Sequence, residues 1–246
     1  MPEHEIWLTR LFNDSLAPLG RSVLAAVNLH AENPGRPWTN FITMEILVAL
    51  IIIVVFAILR GRLSMDRPGK FQQTFEVLYD SLKGETQQNI GHSGPNYLPF
   101  IGTLGIFILF SNLIGIVPGF ESPTMNPSVP AGCAMLVFCY YNFLGFKQMG
   151  VGKYLAHFAG PIPALAILMI PIEIVSHLAR PVSLTIRLFA NMLAGEKVTM
   201  VFLSLTYLVA PALFMGLHVF VSFLQAYIFV LLTMMYVADT VPHEEH

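Results

Sequence analysis

Apolar residues in this chain come in runs that are long enough to cross a lipid core of ~30 Å as helices. The first runs from Phe41 to Leu59 and stops at Arg60-Gly-Arg62. Residues 61–96 are polar, but Phe71, Phe75, Val77, Leu78 and Leu82 recur at helical spacing. That pattern suits a helix lying on the membrane surface over Lys70 to Asn89. A second run, about 97–117, carries Ser111 and Asn112 and ends at Pro118-Gly119. A short loop through Pro130 leads to a third run, about 131–147. Two longer segments follow, about 161–195 and 198–236. The expectation is an all-α membrane protein with about five membrane-embedded helices, the last two forming a long tilted hairpin. Residues 1–39 read as an extramembrane or interfacial segment, 40–238 as a single membrane domain, and 239–246 as a polar C-terminal tail.

Within residues 1–39, Ile6 to Leu29 is weakly amphipathic and the Pro/Gly-rich stretch before Trp38 reads as a loop. Trp38 suits a membrane-interface anchor. Asp14 and Arg21 interrupt the pattern that a secretory leader would need. Basic residues in short loops set orientation. The 60–96 loop holds Arg60, Arg62, Arg67, Lys70 and Lys83, the 147–160 connector holds Lys147 and Lys153, and loop 120–130 holds no Lys or Arg. The basic loops are therefore assigned to the cytoplasm, the N-terminus outside and the C-terminus inside; Arg10, Arg21 and Arg36 pull mildly the other way.

Composition agrees with lipid as the main solvent: 55% of the 246 residues are apolar and 11% charged, against about 25% charged in soluble domains. A net charge of −2 gives no sign of nucleic-acid binding. Cys133 and Cys139 share one apolar run, suggesting buried thiols rather than a disulfide framework or metal site.

Against this background the polar residues of the last two segments stand out. Positions seven apart on an α-helix turn through about 700° and nearly coincide, which aligns Glu173, Arg180 and Arg187. Asn191 lies one turn beyond Arg187, and Glu196 further out. An arginine at the bilayer centre costs roughly 2.5–3.5 kcal/mol on insertion scales and usually faces a protein interior or an aqueous cavity. Arg187 has no acid at i±3 or i±4, so its partner must come from another helix, another subunit or water. Pro181 should bend its helix near His177. In the last segment His218, Ser222 and Gln225 form one polar stripe. A His–Glu pairing of His218 with Glu196 would suit proton exchange near neutral pH.

Blander readings stand beside these. His218 also reads as a hydrogen-bonded packing residue, Arg180 as a side chain snorkelling to the inner interface, and Glu196-Lys197 as a solvated helix end in a loop. Glu45 reads as a headgroup-level residue. Glu173 and His177 have metal-ligand spacing, but two ligands make a poor site.

The run from Pro181 to Glu196, Pro-Val-Ser-Leu-Thr-Ile-Arg-Leu-Phe-Ala-Asn-Met-Leu-Ala-Gly-Glu, closely resembles the signature of subunit a of F-type ATP synthases, the stator ion channel of Fo. The likeness extends through His218, Leu224 to Phe229, the closing Glu244-Glu245-His246, and Ser111 to Gly119 in the second run. The resemblance implies that Arg187 faces a rotating ring of c subunits and meets its carboxylates. It implies that Glu196 and His218 belong to a half-channel open to the outside, that Asn191 and Gln225 are polar positions near the arginine, and that Glu173 lies on the cytoplasmic exit side. It further implies a multi-pass protein of the bacterial inner membrane, with the c ring, the b subunits of the peripheral stalk and the rest of the F1Fo complex as partners. No catalytic site, cofactor or resident metal is expected, and the transported ion is H⁺, with Na⁺ left open. A self-contained channel or secondary transporter using Arg187 to hold substrate is the main alternative, and an intramembrane hydrolase built on Glu173 and His177 a third.

Overall fold

A computed structural model describes residues 5–26, 36–64, 68–117, 119–152, 154, 166–205 and 209–241. Among them lie α1 (Trp7–Ala26), α2 (Asn40–Gly61), α3 (Lys70–Ile90), α4 (Leu98–Ile114), α5 (Ser128–Met149), α6 (Ala166–Leu205) and α7 (Val209–Thr240). Single 3₁₀ turns at Gly94–Asn96 and Pro123–Met125 lead into α4 and α5. The described residues contain no strand. Helices α2, α5, α6 and α7 each contain a stretch long and apolar enough to cross a membrane, and α4 is a shorter apolar helix. The all-helical membrane architecture expected from the hydrophobic pattern is thus present. The start of the fourth segment at 161, most of the 147–160 connector and the closing Glu244-Glu245-His246 lie outside the described residues.

Local chemistry explains several boundaries. Pro99 sits in the first turn of α4, where a missing backbone N–H costs nothing. Helix α5 ends on Gly150, whose φ of 75° lies in the left-handed region that glycine enters freely. Helix α6 runs through both Pro171 and Pro181 as one 40-residue helix. Each proline removes a donor inside the helix, a defect tolerated in lipid only where neighbours satisfy the freed carbonyl.

The main core joins α4, α5, α6 and α7 through Ile101, Ile108, Val137, Leu188, Phe229 and Met234. Gly105 of α4 lets α7 approach so closely that a Cβ there would collide with Val230 Cγ2. A smaller cluster of Ile6, Met44, Val48 and Ile114 ties α1 and α2 to the end of α4.

Two expectations change. The break between the last two segments does not fall at 196–197, because α6 continues through Glu196 and Lys197 to Leu205. Trp38 is tied to the N-terminal helix: its Nε1 donates to Leu16 O at 2.9 Å, and its backbone exchanges two 3.0 Å bonds with the Asn13 amide. The indole bonds α1, which explains how the N-terminal helix is held. Of the two thiols, Cys133 is buried as expected, whereas Cys139 is exposed on α5.

Candidate functional site

Helix α6 presents two contrasting faces. Leu184, Leu188 and Met192, four apart, are almost wholly buried in the core, and Glu196 continues the same line one turn on. Ile174, Val175, Leu178, Val182 and Ile186 are exposed on the other side. Together with exposed Leu217, Phe220 and Leu224 of α7 they leave the hairpin with an uncovered apolar surface. Arg187, half-buried, follows directly on this strip, and exposed Ala190, Asn191 and Ala194 lie beyond it.

The two arginines of α6 are in different states. Arg180 Nη1 pairs with Asp239 Oδ2 at 2.9 Å, and its guanidinium lies 5.2 Å from the centre of the Tyr236 ring. Arg180 is thus answered by a carboxylate of α7 as well as being partly exposed. Arg187 has no ion pair among the described residues. One turn on, Asn191 Nδ2 donates to Gln225 Oε1 at 2.9 Å, which fixes α6 to α7 beside Arg187. Gln225 is fully buried and its Nε2 lacks a protein partner.

Towards the other end of the hairpin, Glu196 and His218 are both buried, and Glu196 Oε2 and His218 Nε2 have no hydrogen-bond partner among the described residues. The structure does not join them: His218 packs against Gly195, where a Cβ would lie 3.2 Å from Nδ1. Between the helices lies a cavity of about 220 Å³ bordered by Asn191, Gly195, Val198, Phe214 and His218. Buried polar atoms are normally satisfied, and this space has room for several waters at ~30 Å³ each. The cavity lets water reach the His218 imidazole, whereas Glu196 is not among its lining residues.

The sequence reading gave no role to a buried hydroxyl–amide cluster where α4 turns into α5. Ser122 Oγ donates to Ser111 O at 2.7 Å and lies 2.7 Å from Thr124 Oγ1, which donates to Asn112 Oδ1 at 2.7 Å. Ser111 Oγ and Asn112 Nδ2 remain without protein partners. The turn that carries Thr124 packs against α6. Ser111-Asn112 inside an apolar run was the available signal; the pairing with a loop eleven and twelve residues away was not visible.

At the opposite end, Glu173 is half-buried on α6. His177 Nε2 lies 3.0 Å from Asn142 Oδ1 and 3.4 Å from Tyr141 OH, and Tyr154 OH donates to the same Asn142 oxygen at 2.9 Å. His177 thus belongs to an amide–phenol cluster on α5. Among the described residues no three His, Cys, Asp or Glu side chains converge as a metal site would require.

A family model described as ATP synthase A chain matches residues 42–238, which is most of α2 through α7. The chain belongs to the ATP synthase A chain family. It is 66% identical over 234 residues to ATP synthase subunit a of Solibacter usitatus, covering 95% of this chain and 100% of that one. The subunit a of Koribacter versatilis is 43% identical over 240 residues, covering 98% of each chain. That of a Sulfurihydrogenibium species is 40% identical over 205 residues, covering 83% of this chain and 98% of the other. The A-chain match takes in all six residues singled out from the sequence: Glu173, Arg187, Asn191, Glu196, His218 and Gln225. It leaves α1 outside, and Asp239 lies one residue past its end.

Proposed function

We propose that this chain is the stator a subunit of the Fo sector of a rotary ATP synthase in a bacterial inner membrane. It acts with a c ring, the b subunits of a peripheral stalk and the rest of F1Fo, and has no catalytic site or cofactor of its own. The observation that carries the reading is the contrast between the arginines of α6. Arg180 pairs with an acid of the chain, whereas Arg187 has no ion pair among the described residues and stands beside an uncovered apolar and small-residue surface. A cation this costly to embed needs a counter-charge, and a ring carboxylate arriving from a neighbouring subunit supplies it.

Two offset aqueous half-channels follow. A proton from outside passes by way of Glu196 and His218, the latter bordering the cavity between α6 and α7, and neutralises a ring carboxylate so that it can turn into lipid. Asn191 and Gln225, bonded to each other, hold α6 against α7 where that carboxylate passes. After a turn of the ring the carboxylate meets Arg187, whose charge favours the ionised form, and the proton leaves inward past Glu173. The fixed cation between the half-channels also opposes a proton running straight through. Each charge that crosses contributes about 2.3 kcal/mol per 100 mV, so several protons must be coupled to each ATP. H⁺ is the expected ion.

A transporter working alone would need an acid or anionic substrate against Arg187 and would purify without a ring. The test is Arg187→Ala in membrane vesicles carrying the whole complex. Proton-driven ATP synthesis should be abolished while the ring and stalk still copurify; synthesis at a near-normal rate would overturn the assignment.

A further inference from the structure

The inner ends of α6 and α7 contain an ion pair that the proposed mechanism does not use. Arg180 and Asp239 form one wall of an open cavity of about 420 Å³, which Asn89 of α3 and Tyr236 of α7 also line. Their side chains are 23% and 47% exposed, so the pair is wetted from the cavity rather than sealed in the core. The cavity lies at the end of the hairpin where Glu173 sits, and where the proposed mechanism sends the proton out. Arg180 is seven residues from Arg187 and on the same side of the helix, ~10 Å away along the axis at 1.5 Å per residue. Among the described residues, the charged or titratable groups that bear on Arg180 are Glu173 and His177 on α6, Tyr141 on α5, Tyr154 beyond it, and Tyr236 and Asp239 on α7. Of the two carboxylates among them, only Asp239 touches the guanidinium.

We propose that Asp239 is a charge-compensating residue of the inner proton path: it keeps Arg180 from acting as a second free cation at the path's mouth. This rests on the stator reading above. Without Asp239, no described carboxylate touches the Arg180 guanidinium, and its charge faces the cavity with only the more distant Glu173 to offset it. Protons entering from the cytoplasm to load the ring during ATP-driven pumping then meet a repulsive potential, which a higher proton concentration must offset. Release of protons during synthesis is not opposed in this way. The defect is therefore directional. It also weakens with added salt, because the pair is solvent-exposed and screening acts over about 10 Å at 0.1 M.

The experiment measures ATP-driven proton pumping against cytoplasmic-side pH in inverted vesicles carrying the complete complex. Asp239→Asn should move the alkaline limb of the profile to lower pH by about half a unit or more, as a nearby unpaired charge does to a titrating site. The double variant Arg180→Gln/Asp239→Asn should return to the parent profile, although its ion pair is equally absent. An unshifted Asp239→Asn profile overturns the proposal. So does a double variant as impaired as the single one, since the pair would then be only a tether. Should Asp239→Asn not assemble, Arg180→Gln reads the same charge in the opposite sense. It should move the limb to higher pH, and no movement overturns the idea. A parent complex that pumps no protons would instead defeat the stator reading.

Discussion

Glu196 follows three side chains, Leu184, Leu188 and Met192, that are sealed in the core, and it inherits their burial without their chemistry. Among the described residues nothing offers a hydrogen bond to Oε2, and His218, its expected partner, packs against Gly195 instead. In the proposed outer half-channel this carboxyl takes up and releases the entering proton. Glu196→Gln keeps the shape and removes the proton exchange. Passive proton conduction through Fo should fall by about tenfold or more, the low end of what a positioned acid contributes. Conduction at the parent rate, measured as dissipation of an imposed pH gradient with F1 stripped off, would take Glu196 out of the path.

Among the elements, α4 and α7 set how closely the hairpin sits against the bundle. Gly105 is the contact that permits it, because the Val230 methyl occupies the place of its missing side chain. Valine is stiff about χ1, so the clash cannot be relieved by a rotation. Gly105→Ala should therefore destabilise the subunit by about 1–3 kcal/mol, the usual cost of overpacking. Adding Val230→Ala should recover much of that loss. Thermal unfolding in detergent reads both, and a neutral Gly105→Ala would mean that the helices sit further apart. Gly195 illustrates the same rule and explains why the hairpin turn was misplaced by the sequence pattern. Gly-Glu-Lys resembles a polar break, but in the fold the glycine is an interior helical residue that makes room for an imidazole.

For the whole molecule, the unusual feature is what remains uncovered. A long helix with one face buried and another exposed and apolar is ordinary against lipid, but the Arg187 guanidinium directly after the exposed strip is not compatible with hydrocarbon. A protein surface with its own acid fits that position. Disulfide or bifunctional cross-linking discriminates the faces once Cys133 and Cys139 are replaced. A cysteine at exposed Ile186 should cross-link to a ring subunit, whereas one at buried Leu184 should not. Equal reaction of the two, or reaction only at Leu184, would reverse the assignment of faces.

The hydrophobic pattern alone determined the class of solvent, the order of the apolar helices and the polar residues that interrupt them. Those are properties of a local run of side chains, and the cost of placing a charge in lipid is legible wherever the charge occurs. The pattern could not determine which arginine is neutralised. Asp239 lies 59 residues after Arg180, and only the antiparallel return of α7 brings its carboxylate to 2.9 Å. Nor could it foresee that Trp38 is tied to α1, that Ser122 and Thr124 serve Ser111 and Asn112, or that Glu196 and His218 are not in contact. Each of these depends on the rotation of one helix against another, set by the close contacts at glycines and by the shared core. Tertiary packing thus pairs Arg180 with Asp239 and gives Arg187 no ion pair among the described residues.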